Sequence, residues 1–239
     1  MPISLTQSTT GSITGTAGPL TLTLTSVASG SLLTVLFAYG QSSNTTAVAT
    51  PTDSGGTWVA ASAPAGQIDA GVNITGSKIY YEQNAAGGTH TATIAFTGGN
   101  AFCIATLAEW AGALTSGALD VATSANATTA QTNTSGTTAA TAQASELSVV
   151  ALCVDSGAGV ADAVITNPPA GYTTLQYAGN TTTNEGTQHS YKVLAATGTQ
   201  SVTWSWTDGT TLLSQGAIAT FKASGVAATV LPVMMFDNP

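Results

Sequence analysis

Residues 20–25 read Leu-Thr-Leu-Thr-Leu-Thr, an unbroken alternation of apolar and hydroxyl side chains. Successive side chains of a strand point to opposite faces, so this period puts every leucine on one face and every threonine on the other. The run is committed to a half-buried strand, and the signature returns along the chain. Residues 31–39 (SLLTVLFAY) read as a nearly fully buried strand, and 78–83, 89–96 and 102–110 continue the series. Threonine is frequent within them, as its β-branch favours. The Ala-rich stretch 105–114 imitates a helix, yet Phe102, Ile104, Thr106, Ala108 and Trp110 alternate with the other face, which predicts strand. Turn signals fall between these runs at Asp53-Ser54-Gly55-Gly56, Ala86-Gly87-Gly88, Thr97-Gly98-Gly99-Asn100 and Asp208-Gly209. The expected class is all-β.

The chain also repeats itself. Tyr81, Ala85-Ala86, Gly88-Thr89 and Phe96 recur in order as Tyr191, Ala195-Ala196, Gly198-Thr199 and Trp206. Upstream, Ser31-Leu32-Leu33-Thr34-Val35 matches Ser145-Glu146-Leu147-Ser148-Val149; downstream, Ile104-Ala105-Thr106-Leu107 matches Ile218-Ala219-Thr220-Phe221. The reading is one strand unit used twice, over about 20–112 and 135–223, with a hairpin turning at each Ala-Ala-x-Gly-Thr. Either half alone would expose a wide apolar face, so one closed sandwich over 1–225 is expected, with two small sandwiches as the alternative. The low-complexity segment 126–144 reads as a linker or as the strand and connection that open the second half. Residues 226–239 differ from the rest. They form an apolar arm whose pairing Pro232 and Pro239 limit, and Val230, Leu231, Val233, Met234, Met235 and Phe236 are its candidate partner-binding residues.

Charge narrows the partners. Only 6% of residues are charged, against roughly 25% in an average globular protein. The basic residues are Lys78, Lys192 and Lys222, there is no arginine, and the net charge is -8. Nucleic acid and anionic membrane surfaces both need a basic footprint, so neither is an expected partner. Residues 1–6 lack the basic and apolar regions of a signal peptide, so folding in a cytoplasm, or loss of a targeting segment, is expected. Cys103 and Cys153 are expected to be buried thiols.

Candidate chemistry is thin. His90 and His189 each precede a strand core, with no Cys or acid at ligand spacing, so neither metal binding nor general-base work is expected. Glu82 and Glu109 are the acids on predicted strands that a glycoside hydrolase would draw on; solvated or turn-capping carboxylates explain them better. Asp53-Ser54-Gly55-Gly56-Thr57 and Asp155-Ser156-Gly157 offer oxygens to calcium, but ordinary Asx-turns account for them. Trp58, Trp110, Trp204 and Trp206 invite a sugar-stacking reading, and Trp204 and Trp206, two apart on one strand face, are its candidate platform, against a core explanation. No catalytic residue, metal or cofactor is expected.

The order Gly55-Gly56-Thr57-Trp58, Tyr80-Tyr81, Asn84 to Thr89, Ile104 to Gly112, Leu119-Asp120 and Ser145-Glu146-Leu147 resembles a loose group of jelly-roll-like β-sandwich proteins of tailed-phage virions and some secreted bacterial proteins. The resemblance covers roughly 31–223; the arm after Gly225 has no counterpart in it. It implies a jelly-roll sandwich with a structural or attachment role and carries over no catalytic residue. The expectation is therefore a virion protein on the exterior of the particle, assembled in the host cytoplasm. Head decoration or cement comes first and a fibre or tail component second, packed against other virion proteins as a homo-oligomer. A carbohydrate-binding module or adhesin is the rival.

Overall fold

The computed structural model describes residues 2–16, 18–41, 49–53, 55–62, 67–69, 73–96, 100–128, 131–155, 164–167, 169–180, 185–207 and 213–225, and every regular element among them is a strand. The first half holds β1 (Ser4–Thr16), β2 (Leu20–Val27), β3 (Leu32–Gln41), β4 (Val59–Ser62), β5 (Gln67–Asp69), β6 (Asn73–Glu82), β7 (Gly88–Ile94) and β8 (Asn100–Ala111). The second holds β9 (Leu119–Thr128), β10 (Thr132–Thr134), β11 (Leu147–Asp155), β12 (Val164–Asn167), β13 (Thr173–Asn180), β14 (Glu185–Val193), β15 (Thr203–Thr207) and β16 (Leu213–Phe221).

A large sheet in each half is backed by a small one. The first large sheet runs β1-β8-β3-β6-β4, with β5 also on β6, and its small sheet pairs β2 with β7. The second runs β9-β16-β11-β14-β13, and its small sheet runs β10-β15-β12. Counted from the first strand of each half, both large sheets follow the order one-eight-three-six and both small sheets pair two with seven. An isolated bridge from Thr52 to Thr93 of β7 stands in the first half where β12 pairs with β15 in the second. All pairings are antiparallel, and the order is that of a jelly-roll sandwich.

Three apolar clusters follow from this stacking. In the first, Leu20, Leu22 and Leu24 of β2 pack on Leu33, Val35 and Phe37 of β3, while the alternate threonines face water. Each leucine buried in this way is worth about 1.5–3 kcal/mol. In another, Val150, Leu152 and Val154 of β11 pack under Trp204 and Trp206 of β15. The remaining cluster lies where the two large sheets meet back to back: Leu32, Leu36 and Trp110 from one half touch the same buried group as Leu147, Val149 and Phe221 from the other. Strands β3, β8, β11 and β16 are therefore covered on both faces, which is why residues 31–39 read as nearly continuous apolar sequence. Each half has a core of its own and the halves share a third, so the arrangement is two small sandwiches joined through their large sheets.

The predicted hairpins are not hairpins. β6 pairs with β3, β4 and β5, whereas β7 pairs with β2; β14 pairs with β11 and β13, whereas β15 pairs with β10 and β12. The Ala-Ala-x-Gly-Thr segments step from the large sheet of their half to the small one. A hairpin leaves both strands on one side of a core. Here the apolar faces of β3 and β7 must oppose each other across it, and Ala92 and Ile94 share the cluster of Val35 and Phe37. Matching backbone bonds hold the two corners. Gly30 N–H donates to Ala85 O (2.9 Å) and Ala85 N–H to Ser31 O (2.9 Å); Ser145 N–H donates to Leu194 O (2.8 Å) and Leu194 N–H to Glu146 O (2.8 Å). Gly30 and Ser145 both take positive φ, 87° and 64°.

Residues 126–144 are not a free linker. They include the end of β9, all of β10 and a connection whose Ser135, Thr138 and Thr141 amides donate to Val202, Gln200 and Gly198 carbonyls. Cys103 and Cys153 are buried and unbridged. The turn signals at 97–99 and 208–209, residues 156–157, and the arm with Val230, Leu231, Val233, Met234, Met235 and Phe236 lie outside the described residues.

Candidate functional site

The sequence places no acid near either histidine, and for His90 the tertiary structure overturns that. Asp53 follows Thr52, whose amide and carbonyl pair with Thr93 of β7 (3.0 and 2.8 Å). This bridge carries the Asp53 carboxylate to the start of the same strand. Its Oδ1 accepts the amides of Gly55 (3.2 Å) and Thr91 (3.1 Å), the first closing the Asx-turn that the sequence suggests. Its Oδ2 lies 2.6 Å from His90 Nδ1, and both side chains are almost fully buried. His90 Nε2 lies 2.8 Å from the Ala86 carbonyl oxygen, at the corner between β6 and β7. Glu82, the last residue of β6, brings a second carboxylate: one ligand atom from each of Asp53, Glu82 and His90 falls within 4.8 Å of the other two.

Gly55 and Gly56 close over this group. A Cβ at Gly55 would stand 2.8 Å from His90 Cε1, and one at Gly56 would collide with the Glu82 carboxylate. Glu82 is 5% exposed, and its Oε2 has no hydrogen-bond partner. It lines a cleft of about 520 Å³ together with Ser29, Thr57, Gln83 and Asn84. Burial pushes the Glu82 carboxyl above its usual range, against the pull of His90 and with a push from Asp53. Burial also works against the charged forms of Asp53 and His90. Their mutual bond, with the Thr91 and Gly55 amides on one side and the Ala86 carbonyl on the other, outweighs it, holding Asp53 low and His90 high.

The other candidates are structural. Glu109 is buried on β8 rather than solvated: Oε1 accepts the Ala28 amide (2.8 Å) and the Ser31 hydroxyl (2.7 Å), and Oε2 accepts Gln7 Nε2 (2.7 Å). It fastens β1 and the β2–β3 turn to β8, and those donors hold its carboxyl low against the opposing effect of burial. His189 is enclosed between the two large sheets. Trp204 and Trp206 do share one face of β15, as the spacing predicts, but that face is the core, where they are 0% and 2% exposed and offer no ring to a sugar. Trp58 and Trp110 are buried as well.

Sequence reading missed the meeting of Asp53, Glu82 and His90 because Asp53 reaches the corner between β6 and β7 only through the isolated bridge from Thr52 to Thr93. The available signal was Asp followed by Gly-Gly in a chain with two histidines and few charges. No protein-family model, curated protein or solved structure matches the chain. Its structure defines an antiparallel all-β sandwich protein.

Proposed function

We propose that this chain is a structural protein of a tailed-phage virion, a head decoration or cement protein on the particle exterior, which acts by non-covalent packing of subunits. The observation that carries this reading is the edge of the first large sheet. β1 supplies 13 residues, pairs with β8 on one side and, among the described residues, has no strand on the other. It contains no charged residue and no proline. Monomeric proteins blunt such edges with lysine, proline or short strands, because an open ladder invites another chain. A long uncharged edge suits a surface that a neighbouring subunit covers. The shortage of charge throughout the chain fits the same use. A fibre or tail position would draw on the same edge.

The test is twofold. Immunogold labelling of particles of a phage encoding the chain is expected on the outside of heads; labelling confined to the host lysate would reject a virion role. Light scattering on the purified full chain is expected to give an oligomer. Lysines at the exposed positions Thr6, Ser8 and Thr10 together should reduce it to monomer, whereas an unchanged mass would remove β1 from the argument.

A further inference from the structure

We infer that Asp53, Glu82 and His90 form a binding site for a divalent transition-metal ion, with zinc the natural probe, that ties the segment before β4 to the corner between β6 and β7. The inference is independent of the virion reading.

The tautomer of His90 carries the argument. A carbonyl oxygen only accepts, so Nε2, 2.8 Å from Ala86 O, must hold a proton. Metal-ligating histidines are oriented in this way, by giving their second N–H to a carbonyl or carboxylate. Nδ1 then faces Asp53 Oδ2 at 2.6 Å, with Glu82 close by. A nitrogen lone pair set against carboxylate oxygens is repulsive unless an electrophile lies between them. That electrophile is a proton or a metal cation.

Glu82 points to the metal. A proton between Nδ1 and Asp53 leaves Glu82 Oε2 buried and without a hydrogen bond, a costly arrangement in a folded interior. A dication shared by three ligands uses that oxygen, and two carboxylates with a neutral imidazole balance its charge. One nitrogen and two oxygens suit zinc, manganese, iron(II) or cobalt; the imidazole argues against calcium and the absence of a thiolate against copper(I). Zinc–ligand bonds of about 2.0–2.1 Å put tetrahedral ligands about 3.3 Å apart, so Nδ1 and Oδ2 need to separate by less than 1 Å. Gly55 and Gly56 leave no side chain in the way, and the cleft beside Glu82 gives entry and room for water in the remaining position.

Titration of zinc into tag-free, chelator-stripped full-length protein, followed by calorimetry, is expected to show one site with micromolar or tighter affinity. Cobalt(II) is expected to give the visible absorption of a four-coordinate nitrogen–oxygen site and to broaden the His90 imidazole signals in NMR. Glu82→Gln and His90→Gln should each weaken zinc binding tenfold or more. Absence of heat and of cobalt absorption would overturn the proposal. So would one-site binding that survives in Glu82→Gln, since the ion would then be held elsewhere. If His90→Gln fails to fold, Glu82→Gln decides alone.

Discussion

The Thr106 hydroxyl lies 2.9 Å from Nδ1 of His189, across the seam where the two large sheets meet. His189 is fully enclosed there, its Nε2 has no partner, and burial pushes its pKa down to about 3. The ring is neutral in the folded chain, whereas in the unfolded chain it titrates near pH 6.5.

Stability should therefore depend on pH in part through His189. Between about pH 6.5 and 3 the unfolded state binds the extra proton, so this contribution is present above 6.5 and is lost as pH falls toward 3. The full span corresponds to a loss of roughly 5 kcal/mol. Urea unfolding at a series of pH values should show a steeper decline for the natural chain than for His189→Gln. Equal slopes would mean that the ring is not sealed in the seam.

Glu109→Ala should cost about 3 kcal/mol in urea unfolding, because it strands the Ala28 amide and the Ser31 hydroxyl as well as removing a buried carboxylate. Gln7→Ala, at the more open end of the same clamp, should cost about 1 kcal/mol or less. Equal losses would show that the clamp does not discriminate between its donors.

Trp204 lies over Gly216 in the second half. A Cβ at Gly216 would come within 2.7 Å of Trp204 Cζ3 and 2.9 Å of the Thr134 carbonyl oxygen, the latter a backbone atom that yields little. Gly216→Ala should destabilise by about 2 kcal/mol and Trp204→Ala by about 3–5 kcal/mol. On a glycan array the natural chain should show no signal that depends on either tryptophan. Specific sugar binding lost in a Trp206→Ala variant that remains folded would contradict the buried positions described above.

Gly30 and Ser145 occupy matching corners with positive φ. Ser145→Gly should leave stability within about 1 kcal/mol of the natural chain, since relief of the left-handed conformation is offset by a more flexible unfolded state. Gly30→Val should cost about 2 kcal/mol, because a β-branched residue fits that conformation poorly. Thermal unfolding of the two variants reads the contrast.

The sequence by itself determined the strands. Leu20, Leu22 and Leu24 face inward and the threonines between them outward because side-chain direction in a strand depends only on the backbone, a local property. The run 31–39 is buried for the same reason it is readable: it has too few polar residues to leave a wet face. Which sheet a strand joins is not local. The segment from Ala85 to Thr89 has the residues of a hairpin, yet it crosses between layers, because β7 gains more by closing the core over β3 than by lying beside β6. The back-to-back seam is of the same kind, since Thr106 and His189 meet only after both large sheets have formed. Glu82 and His90 flank the corner between β6 and β7, but Asp53 is remote from both in the chain and no spacing links it to them, so the convergence of the three within 4.8 Å was decided by the Thr52–Thr93 bridge and the turn of the chain at Ala86.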